Sequence, residues 1–387
     1  MDGARLARRL TTTDAVVVGL GSMLGAGVFT AFAPAAAAAG SWLLGGLAVA
    51  AVVAYANAVS SARLAARYPE SGGTYVYGRE RLGPGWGALA GWAFVVGKSA
   101  SAAAMALTIG SYAWPDAQRA VAVAAVLLSV ALTYRGVRKG ALATRVLVVL
   151  VIAVLVVASA AAVLGPRPDT GAGAALEPVA PGVSGVLAAA GFLFFAFAGY
   201  ARIATLGEEV RDPERAIPRA ILIALAVVLG LYVLVAVALL VALGPGGMAA
   251  SPTPLAAAVA GTAWLEPVVR VAAVAAAAGS LLGLLLGVSR TTLAMARDHR
   301  LPHALAAVHP RYGVPHRADV AVGVVVSLLV LVSDLRGAIA VSSVAVLIYY
   351  AVANAAALTL DRSAGSRVVP VIGLVGCLTV ALSLVVR

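Results

Sequence analysis

The stretch Gly19-Leu20-Gly21-Ser22-Met23-Leu24-Gly25-Ala26-Gly27-Val28-Phe29 lies inside the first long apolar run of the sequence, which begins near Asp14. Four of its residues are glycines. In a soluble helix each glycine costs about 0.8–1 kcal/mol relative to alanine. In a lipid-buried helix, an interrupted backbone is tolerated only where it packs against protein or lines a cavity. Gly25-Ala26-Gly27 therefore predicts a helix break whose freed backbone N–H groups face a ligand. A small-residue seam for helix packing is the alternative.

The composition is that of a membrane protein that crosses the bilayer many times. Of 387 residues, 62% are hydrophobic and only 11% are charged, against roughly 25% charged in a soluble domain. The single cysteine, Cys377, excludes a disulfide framework and a cysteine-rich metal site. The net charge of +12 comes from basic residues scattered between apolar runs. They are better explained as topology signals than as a nucleic-acid-binding surface.

Apolar runs of about 20 residues are long enough to cross a bilayer. Eleven transmembrane helices are predicted, at about 14–35, 42–66, 86–113, 118–134, 141–164, 183–206, 217–243, 264–296, 318–333, 338–360 and 367–386. With the N-terminus in the cytoplasm, most Lys and Arg residues fall in cytoplasmic loops. We therefore expect a multi-pass protein of the plasma (cytoplasmic) membrane, with a cytoplasmic N-terminus, an external C-terminus and no cleavable signal peptide.

Span three contains a lone lysine in Gly97-Lys98-Ser99-Ala100-Ser101. From Trp86, Lys98 lies about 18 Å along the helix, close to the bilayer midplane. A central lysine costs at least ~2.5–3.5 kcal/mol on insertion scales. We favour a substrate-site or proton-carrying amine, because ionisable groups inside the membrane are functional by default. A structural lysine capped by backbone carbonyls or serines is the alternative.

Span six repeats the feature of span one. It carries a small-residue break at Ala198-Gly199 and a concentration of aromatic residues. These are Phe192, Phe194, Phe195, Phe197 and Tyr200. Interrupted helices in corresponding positions of two halves are the expected signature of a secondary transporter built from inverted repeats. Span six therefore favours the binding break over the packing seam in span one.

Two cytoplasmic segments are predicted to shape the inner side of the protein. Ser71-Gly72-Gly73 forces a turn after span two, and we expect this segment to shape the cytoplasmic gate without touching substrate. After span six comes a charged loop, for which a solvated loop is the favoured interpretation. A gating salt bridge from Glu208 or Glu209 is the alternative. All four histidines lie in one cytoplasmic loop at spacings that fit no metal template, so no metal site is expected.

Four motifs in this order resemble the amino acid–polyamine–organocation (APC) superfamily of permeases. The first is Gly21 to Phe29, and the second is Tyr68-Pro69-Glu70-Ser71-Gly72-Gly73-Thr74-Tyr75. The third runs from Phe195 through Gly199-Tyr200 to Glu208-Glu209-Val210-Arg211-Asp212-Pro213 and Ile217-Pro218. The fourth runs from Arg290 through Met295-Ala296-Arg297-Asp298 to Leu301-Pro302. Together they cover about 300 residues.

The resemblance implies an all-α polytopic fold with one transport domain over 1–387. It has 11 transmembrane helices and a five-plus-five inverted-repeat (LeuT-like) core in which helices 1 and 6 are broken. The first repeat would span 14–164, the second 183–360, and 367–386 would form one extra helix. Most relatives have twelve spans, one more than is predicted here.

The resemblance also assigns site residues. The substrate carboxylate would sit on backbone N–H groups from Leu24 to Gly27. The amine would meet the backbone carbonyls of Ser22, Met23, Phe195 and Ala198. With Lys98 and Ser101 added from span three, the residues expected to bind substrate are Ser22, Met23, Leu24, Gly25, Ala26, Gly27, Lys98, Ser101, Phe195, Ala198 and Gly199. Phe195, Tyr200 and Glu208 are expected to gate the site.

Two departures from the family pattern bear on substrate and coupling. Ala201 stands where many relatives carry an acidic residue, so a dibasic substrate loses an obvious counter-charge. The region near Val151 is apolar where some proton-coupled relatives carry a lysine. Lys98 is the candidate to replace that lysine as the coupling group.

The function predicted from these observations is secondary active transport of a neutral or acidic amino acid by alternating access. We expect proton-coupled symport or exchange, with sodium left open as the coupling ion, and no cofactor. The expected partners are the amino-acid substrate and the lipid bilayer, with no nucleic acid and with the oligomeric state left open. A polyamine or cationic amino-acid permease and a non-transporting amino-acid sensor are the alternatives. An intramembrane enzyme is disfavoured, because its only candidate dyad would pair Lys98 with Ser99 or Ser101, whose side chains point apart on a helix.

Overall fold

The computed structural model describes residues 10–68, 72–136, 140–165, 182–204, 210–361 and 363–386, and its regular elements there are helices. The α-helices are α1 (Thr12–Met23), α2 (Gly27–Thr30), α3 (Phe32–Ala39), α4 (Leu43–Arg67), α5 (Thr74–Leu82), α6 (Pro84–Ala113), α7 (Gln118–Tyr134), α8 (Ala141–Leu164), α9 (Val183–Phe197), α10 (Ala201–Ala204), α11 (Pro213–Ala250), α12 (Pro254–Ala258), α13 (Leu265–Arg297), α14 (His316–Val332), α15 (Leu335–Leu358) and α16 (Ala364–Val385). Short 3-10 turns occupy Gly40–Trp42, Pro115–Ala117 and His303–Ala306.

Helix α1 begins at a capping box. The Thr11 hydroxyl accepts a hydrogen bond from the Asp14 backbone N–H, and the Asp14 carboxylate accepts one from the Thr11 backbone N–H at 2.9 Å. These two bonds satisfy donors that the first turn of a helix leaves unpaired. Arg145 on α8 forms an ion pair with the same carboxylate. The start of α1 is therefore fixed both by its own sequence and by α8.

Most of the predicted spans are present as long apolar helices. Within the described residues, nine helical segments are long and apolar enough to cross a membrane. The predicted sixth and ninth spans correspond to shorter helices, α9 with 15 residues and α14 with 17. The predicted seventh span ends at 243, and α11 departs from helical geometry at Gly244, where φ is +66° and a proline follows. Proline removes a helical hydrogen bond and favours a bend at this point.

Two side chains of α6 reach the interrupted helices, since Lys98 contacts Ala198 and Met105 contacts Ala26. Helix α6 lies against α13 and α15, while α9 packs against α3 and α4, and α1 packs against α8 and α11. Gly97 on α6 approaches α15 so closely that an added Cβ would lie 2.8 Å from the Val346 side chain. The region around Lys98 is therefore enclosed by helices from both halves of the chain.

The last helix, α16, is attached to the core by a buried polar cluster. The Asn354 side-chain amide donates to the Asn57 side-chain oxygen at 2.6 Å, and the Cys377 thiol donates to the same oxygen at 3.2 Å. All three side chains are fully buried. Gly373 allows this contact, because a Cβ there would lie 2.3 Å from the Asn354 oxygen. Helices α4, α15 and α16 are joined here by hydrogen bonds as well as by apolar packing.

Candidate functional site

The first helix is interrupted where the glycines predicted it. Helix α1 ends at Met23 and α2 starts at Gly27. The Leu24 N–H still donates to the Leu20 carbonyl at 2.7 Å, and regular backbone bonding resumes with Phe29 N–H to the Ala26 carbonyl at 2.9 Å. In the described part of the chain, the N–H groups of Gly25, Gly27 and Val28 have no backbone acceptor. The break thus leaves several donors in the protein interior, as a ligand-binding break requires.

The second interruption lies between α9 and α10. Helix α9 ends at Phe197, and the turn through Ala198, Gly199 and Tyr200 precedes Ala201. The Ala198 N–H donates to the Phe194 carbonyl at 3.1 Å and the Tyr200 N–H to the Phe197 carbonyl at 3.4 Å. The break predicted at Ala198-Gly199 is therefore present.

The two interruptions touch each other through their backbones. A Cβ at Gly199 would lie 2.4 Å from the carbonyl carbon and oxygen of Ser22, and 2.7 Å from the Met23 nitrogen. A Cβ at Gly27 would lie 2.6 Å from the Ala196 Cα. No side chain separates the broken helices at these points, so each position depends on glycine.

Tyr232 on α11 links the broken helices, and sequence reasoning did not single it out. Its buried hydroxyl lies 2.8 Å from the Met23 carbonyl oxygen and 2.9 Å from that of Ala196, and its single proton is shared between them. A tyrosine hydroxyl usually finds such a partner when it is buried. Its signal in the sequence is a lone tyrosine within an otherwise apolar span. Of the carbonyls expected to hold the substrate amine, that of Met23 is therefore already bonded.

Lys98 reaches the break in α9. Its side chain is 8% exposed, and the Nζ donates to the Ala198 carbonyl oxygen at 3.2 Å. No carboxylate of the described residues forms an ion pair with it. One turn further, the Ser101 hydroxyl donates to the Gly97 carbonyl at 3.0 Å and lies 2.6 Å from the Ser342 hydroxyl of α15. Lys98 and Ser101 therefore lie beside the breaks, and Ser342 is a neighbour that the sequence did not indicate.

Two further side chains face the break in the first helix. A Cβ at Gly25 would lie 2.4 Å from the Ser280 Oγ of α13 and 3.5 Å from the Met105 Cε of α6. The Ala26 N–H donates to the Met105 thioether at 3.3 Å. Neither residue was predicted, because their approach to the break depends on how α6 and α13 pack.

The predicted gating residues occupy different surroundings. Phe195 is buried at the end of α9, next to the break. The fully buried Tyr200 ring stacks on Tyr350 of α15, with ring centres 5.1 Å apart. Tyr200 therefore packs against α15, where it anchors the turn. Glu208 lies outside the described residues, so its gating role stays a prediction.

A further set of polar contacts joins α5 to the end of α13 and to α15. The Tyr75 hydroxyl of α5 donates to the Asp298 carboxylate at 2.5 Å, and Arg79 lies 3.6 Å from the same carboxylate. Burial, and then the hydrogen bond to Asp298, raise the pKa of Tyr75 above its usual value. The Thr74 N–H donates to the Tyr349 hydroxyl at 3.0 Å. The glycine turn after span two thus leads into a helix that ties α13 and α15 together.

Interrupted helices that meet around a buried charge, within a bundle of apolar helices, define the class of membrane transporters. The amino acid permease family profile matches residues 10–386. The chain therefore belongs to the amino acid permease family of the APC superfamily, which is a family of permeases and not of enzymes.

Similar proteins include transporters of differing description. An uncharacterized transporter of Mycobacterium tuberculosis is 60% identical over 389 residues, covering 98% of this chain and 87% of that protein. The branched-chain amino acid permease BcaP of Bacillus subtilis is 27% identical over 352 residues, covering 84% of this chain and 74% of that protein. The crystal structure of MhsT in complex with L-phenylalanine has a TM-score of 0.69 and 16% identity, covering 98% of this chain and 100% of that one. At 16% identity, this likeness shows the shared fold alone.

Proposed function

We propose that this protein is a secondary active transporter that moves a neutral or acidic amino acid across the plasma membrane by alternating access. The observation that carries the proposal is the direct backbone contact between the two helix breaks, with Lys98 bonded to one of them. Interrupted helices at the core of a transporter supply amide donors for a carboxylate and carbonyl acceptors for a cation. An amino acid carries both groups on one carbon.

The α-carboxylate would bind the backbone N–H groups between Leu24 and Gly27. Three observations support this placement: the amides of Gly25 and Gly27 have no acceptor within the described structure, the break is buried, and the Ser280 hydroxyl lies beside Gly25. Backbone N–H groups at the start of a helical segment favour anions. The hydroxyl adds one more donor to the same position.

The α-amine would bind the carbonyls of Ser22 and Phe195. Among the expected acceptors, those of Met23 and Ala198 already accept hydrogen bonds from Tyr232 and Lys98. Neither the Ser22 nor the Phe195 carbonyl accepts one in the described structure. An ammonium would supply a donor to both, and the need is greater at the buried Phe195, because buried carbonyls are usually paired. Phe195 would also close over the bound substrate as a gate.

Lys98 is proposed to select the substrate and to couple its movement to protons. A buried ammonium beside the breaks repels a second positive charge, so dibasic amino acids and polyamines are disfavoured. Ala201 offers no counter-charge to offset this repulsion. A lysine in a membrane interior needs a compensating role, and binding and release of a proton provides one.

The finer architecture is proposed together with the function. The eleven predicted spans would form two inverted five-helix repeats and one extra helix, with the N-terminus in the cytoplasm. The matching order of the interruptions, in the first helix of each half, supports this arrangement.

Flux into liposomes tests the proposal. Purified protein is reconstituted, and uptake of each radiolabelled standard amino acid is measured with an inward proton gradient, with a sodium gradient, and with neither. We expect uptake of a neutral or acidic amino acid that the proton gradient accelerates. Binding without flux would favour the sensor, and uptake of lysine, arginine or putrescine alone would favour a cationic permease.

A further inference from the structure

The break in the first helix already holds an occupant from the protein itself. The Ala26 N–H donates to the thioether sulfur of Met105 at 3.3 Å. The Met105 methyl group also lies 3.5 Å from the position a Cβ would take on Gly25. Met105 is 7% exposed, so this contact is inside the protein. The sulfur therefore occupies part of the space in which the Ala26 amide would meet a carboxylate.

The thioether is a poor match for the amide that it caps. A thioether is a weak hydrogen-bond acceptor, whereas a carboxylate forms shorter and stronger bonds to backbone N–H groups. The neighbouring Ser280 hydroxyl is more than nine-tenths buried and has no hydrogen-bond partner among the residues that the structure describes. An unpartnered buried hydroxyl beside a weakly capped amide indicates that a stronger acceptor belongs between them.

We propose that Met105 is a place-holder for the substrate carboxylate, capping the Ala26 amide while the site is empty and withdrawing when an amino acid binds. This inference rests on the proposed function of the same site. Methionine suits the role, because its unbranched side chain has three rotatable bonds and adapts to irregular spaces. In the empty protein, the thioether accepts a hydrogen bond from the Ala26 N–H, which would otherwise be buried and unpaired. When the substrate binds, its carboxylate replaces the thioether as the acceptor and forms a stronger hydrogen bond.

Replacement of Met105 by leucine separates the apolar volume of the side chain from its ability to accept a hydrogen bond. Leucine keeps a similar apolar volume and removes the acceptor. The empty M105L protein carries an unpaired Ala26 amide, which only a bound carboxylate satisfies. Amino-acid affinity should therefore rise by about threefold to tenfold, the range that one lost competing hydrogen bond supplies. M295L is the matched control, because Met295 is also buried but its sulfur lies near Gly91, away from both breaks.

The experiment compares three purified full-length proteins: wild type, M105L and M295L. A thermal-shift screen of the standard L-amino acids selects the one that stabilises wild type most. Calorimetric titration then measures the affinity for that amino acid and for its decarboxylated amine. Tighter amino-acid binding by M105L alone, with no gain for the amine, supports the inference.

The outcomes separate this inference from the function on which it rests. Equal or weaker amino-acid binding by M105L overturns the place-holder role and leaves the proposed function standing. Binding of no amino acid by any of the three proteins overturns both. NMR of ¹³C-methyl methionine in wild type gives a second measurement that needs no variant. The Met105 methyl resonance should shift on amino-acid binding while that of Met295 stays fixed, and an unchanged Met105 resonance at saturation contradicts the inference.

Discussion

At the scale of single residues, the site combines backbone groups released by glycine with one buried ammonium. Gly27 and Gly199 let the two broken helices touch, and Lys98 donates to the second break. These positions differ in the substitutions that they tolerate. At some of them a new side chain would meet backbone atoms, and at others it would meet a flexible side chain. Two predictions belong to this scale.

Replacement of Lys98 by methionine or alanine should reduce amino-acid uptake at least tenfold and flatten its dependence on external pH. The reason is that the Ala198 carbonyl loses its donor and the site loses its ionisable group. The protein should still fold, since removing a buried charge also removes its desolvation cost. Proteoliposome uptake at several pH values, together with a melting curve, checks this. Lys139→Ala, which changes the one other lysine, is the control. Unchanged uptake across pH in the Lys98 variants would exclude a coupling role.

Alanine substitutions should distinguish the two glycines of the first break. At Gly27 the new methyl group would lie 2.6 Å from the Ala196 Cα, so the backbones must separate and binding of every amino acid should be lost. At Gly25 it would lie 2.4 Å from the Ser280 Oγ, which can rotate away, and 2.9 Å from the Ser280 Cβ, which requires a small shift of α13, so Gly25→Ala should bind more weakly without losing binding. Leucine at either position should abolish binding. Gly283→Ala on α13 is the control, because nothing lies within 4 Å of its added Cβ. Calorimetric titration measures all five variants, and full binding by Gly27→Ala would contradict the expected clash.

The sequence was informative about residues whose signal is local. Glycines in an apolar run indicate a backbone interruption wherever the helix goes, and a lone Lys98 in a span is anomalous without any knowledge of its partner. The bonds to Met105, Ser280 and Tyr232 depend on the rotation and depth of other helices. A methionine or serine in an apolar helix is too common to point to a site on its own.

At the scale of helices, α5 links the end of α13 to the body of α15. It starts after Gly73, whose φ of +56° favours glycine, and its first residues bond to Asp298 and Tyr349. The turn was predicted from Ser-Gly-Gly. The bond to Asp298 was not, because it joins residues 223 positions apart in the sequence.

Tyr75→Phe should lower the melting temperature by roughly 1–2 °C. One hydrogen bond to a half-exposed carboxylate contributes about 1 kcal/mol to the free energy of unfolding. In a chain of this size, that loss shifts the melting temperature only slightly. The pKa of Tyr75 is raised from 10.0, so the folded state favours the neutral hydroxyl. Its contribution is complete below the unfolded pKa and is lost as pH rises through the folded one. The difference from wild type should therefore be constant from about pH 6 to about pH 9 and shrink above about pH 10. Melting curves across pH measure this, with Tyr55→Phe as an exposed control. A difference that grows with pH would contradict it.

At the scale of the whole molecule, apolar length and the distribution of arginine determine the predicted topology. Composition and run length were enough to predict a helical membrane protein, because each span must satisfy its own backbone. They did not predict that α9 and α14 would be shorter than the other spans. A break or an early cap shortens a helix without changing how apolar the surrounding run is.

Reporter fusions test the predicted topology. Fusions after Gly136, in a loop expected to be cytoplasmic, should make green fluorescent protein fluoresce and leave alkaline phosphatase inactive. Fusions after Ser251, in a loop expected to be external, should give the reverse. The physical reason is the positive-inside preference of short loops rich in arginine. If the same reporter is active at both positions, the predicted odd number of membrane crossings between them is wrong.

The cluster around Asn57 has a practical consequence for spectroscopy. Cys377 is the one cysteine in the sequence, and its thiol is fully buried and bonded to the Asn57 oxygen. Native protein should therefore leave maleimide reagents unreacted, so the wild-type chain already serves as a labelling background. Pairs of fluorophores or spin labels attached to introduced cysteines would report distances between α5 and α13 without removal of the natural thiol.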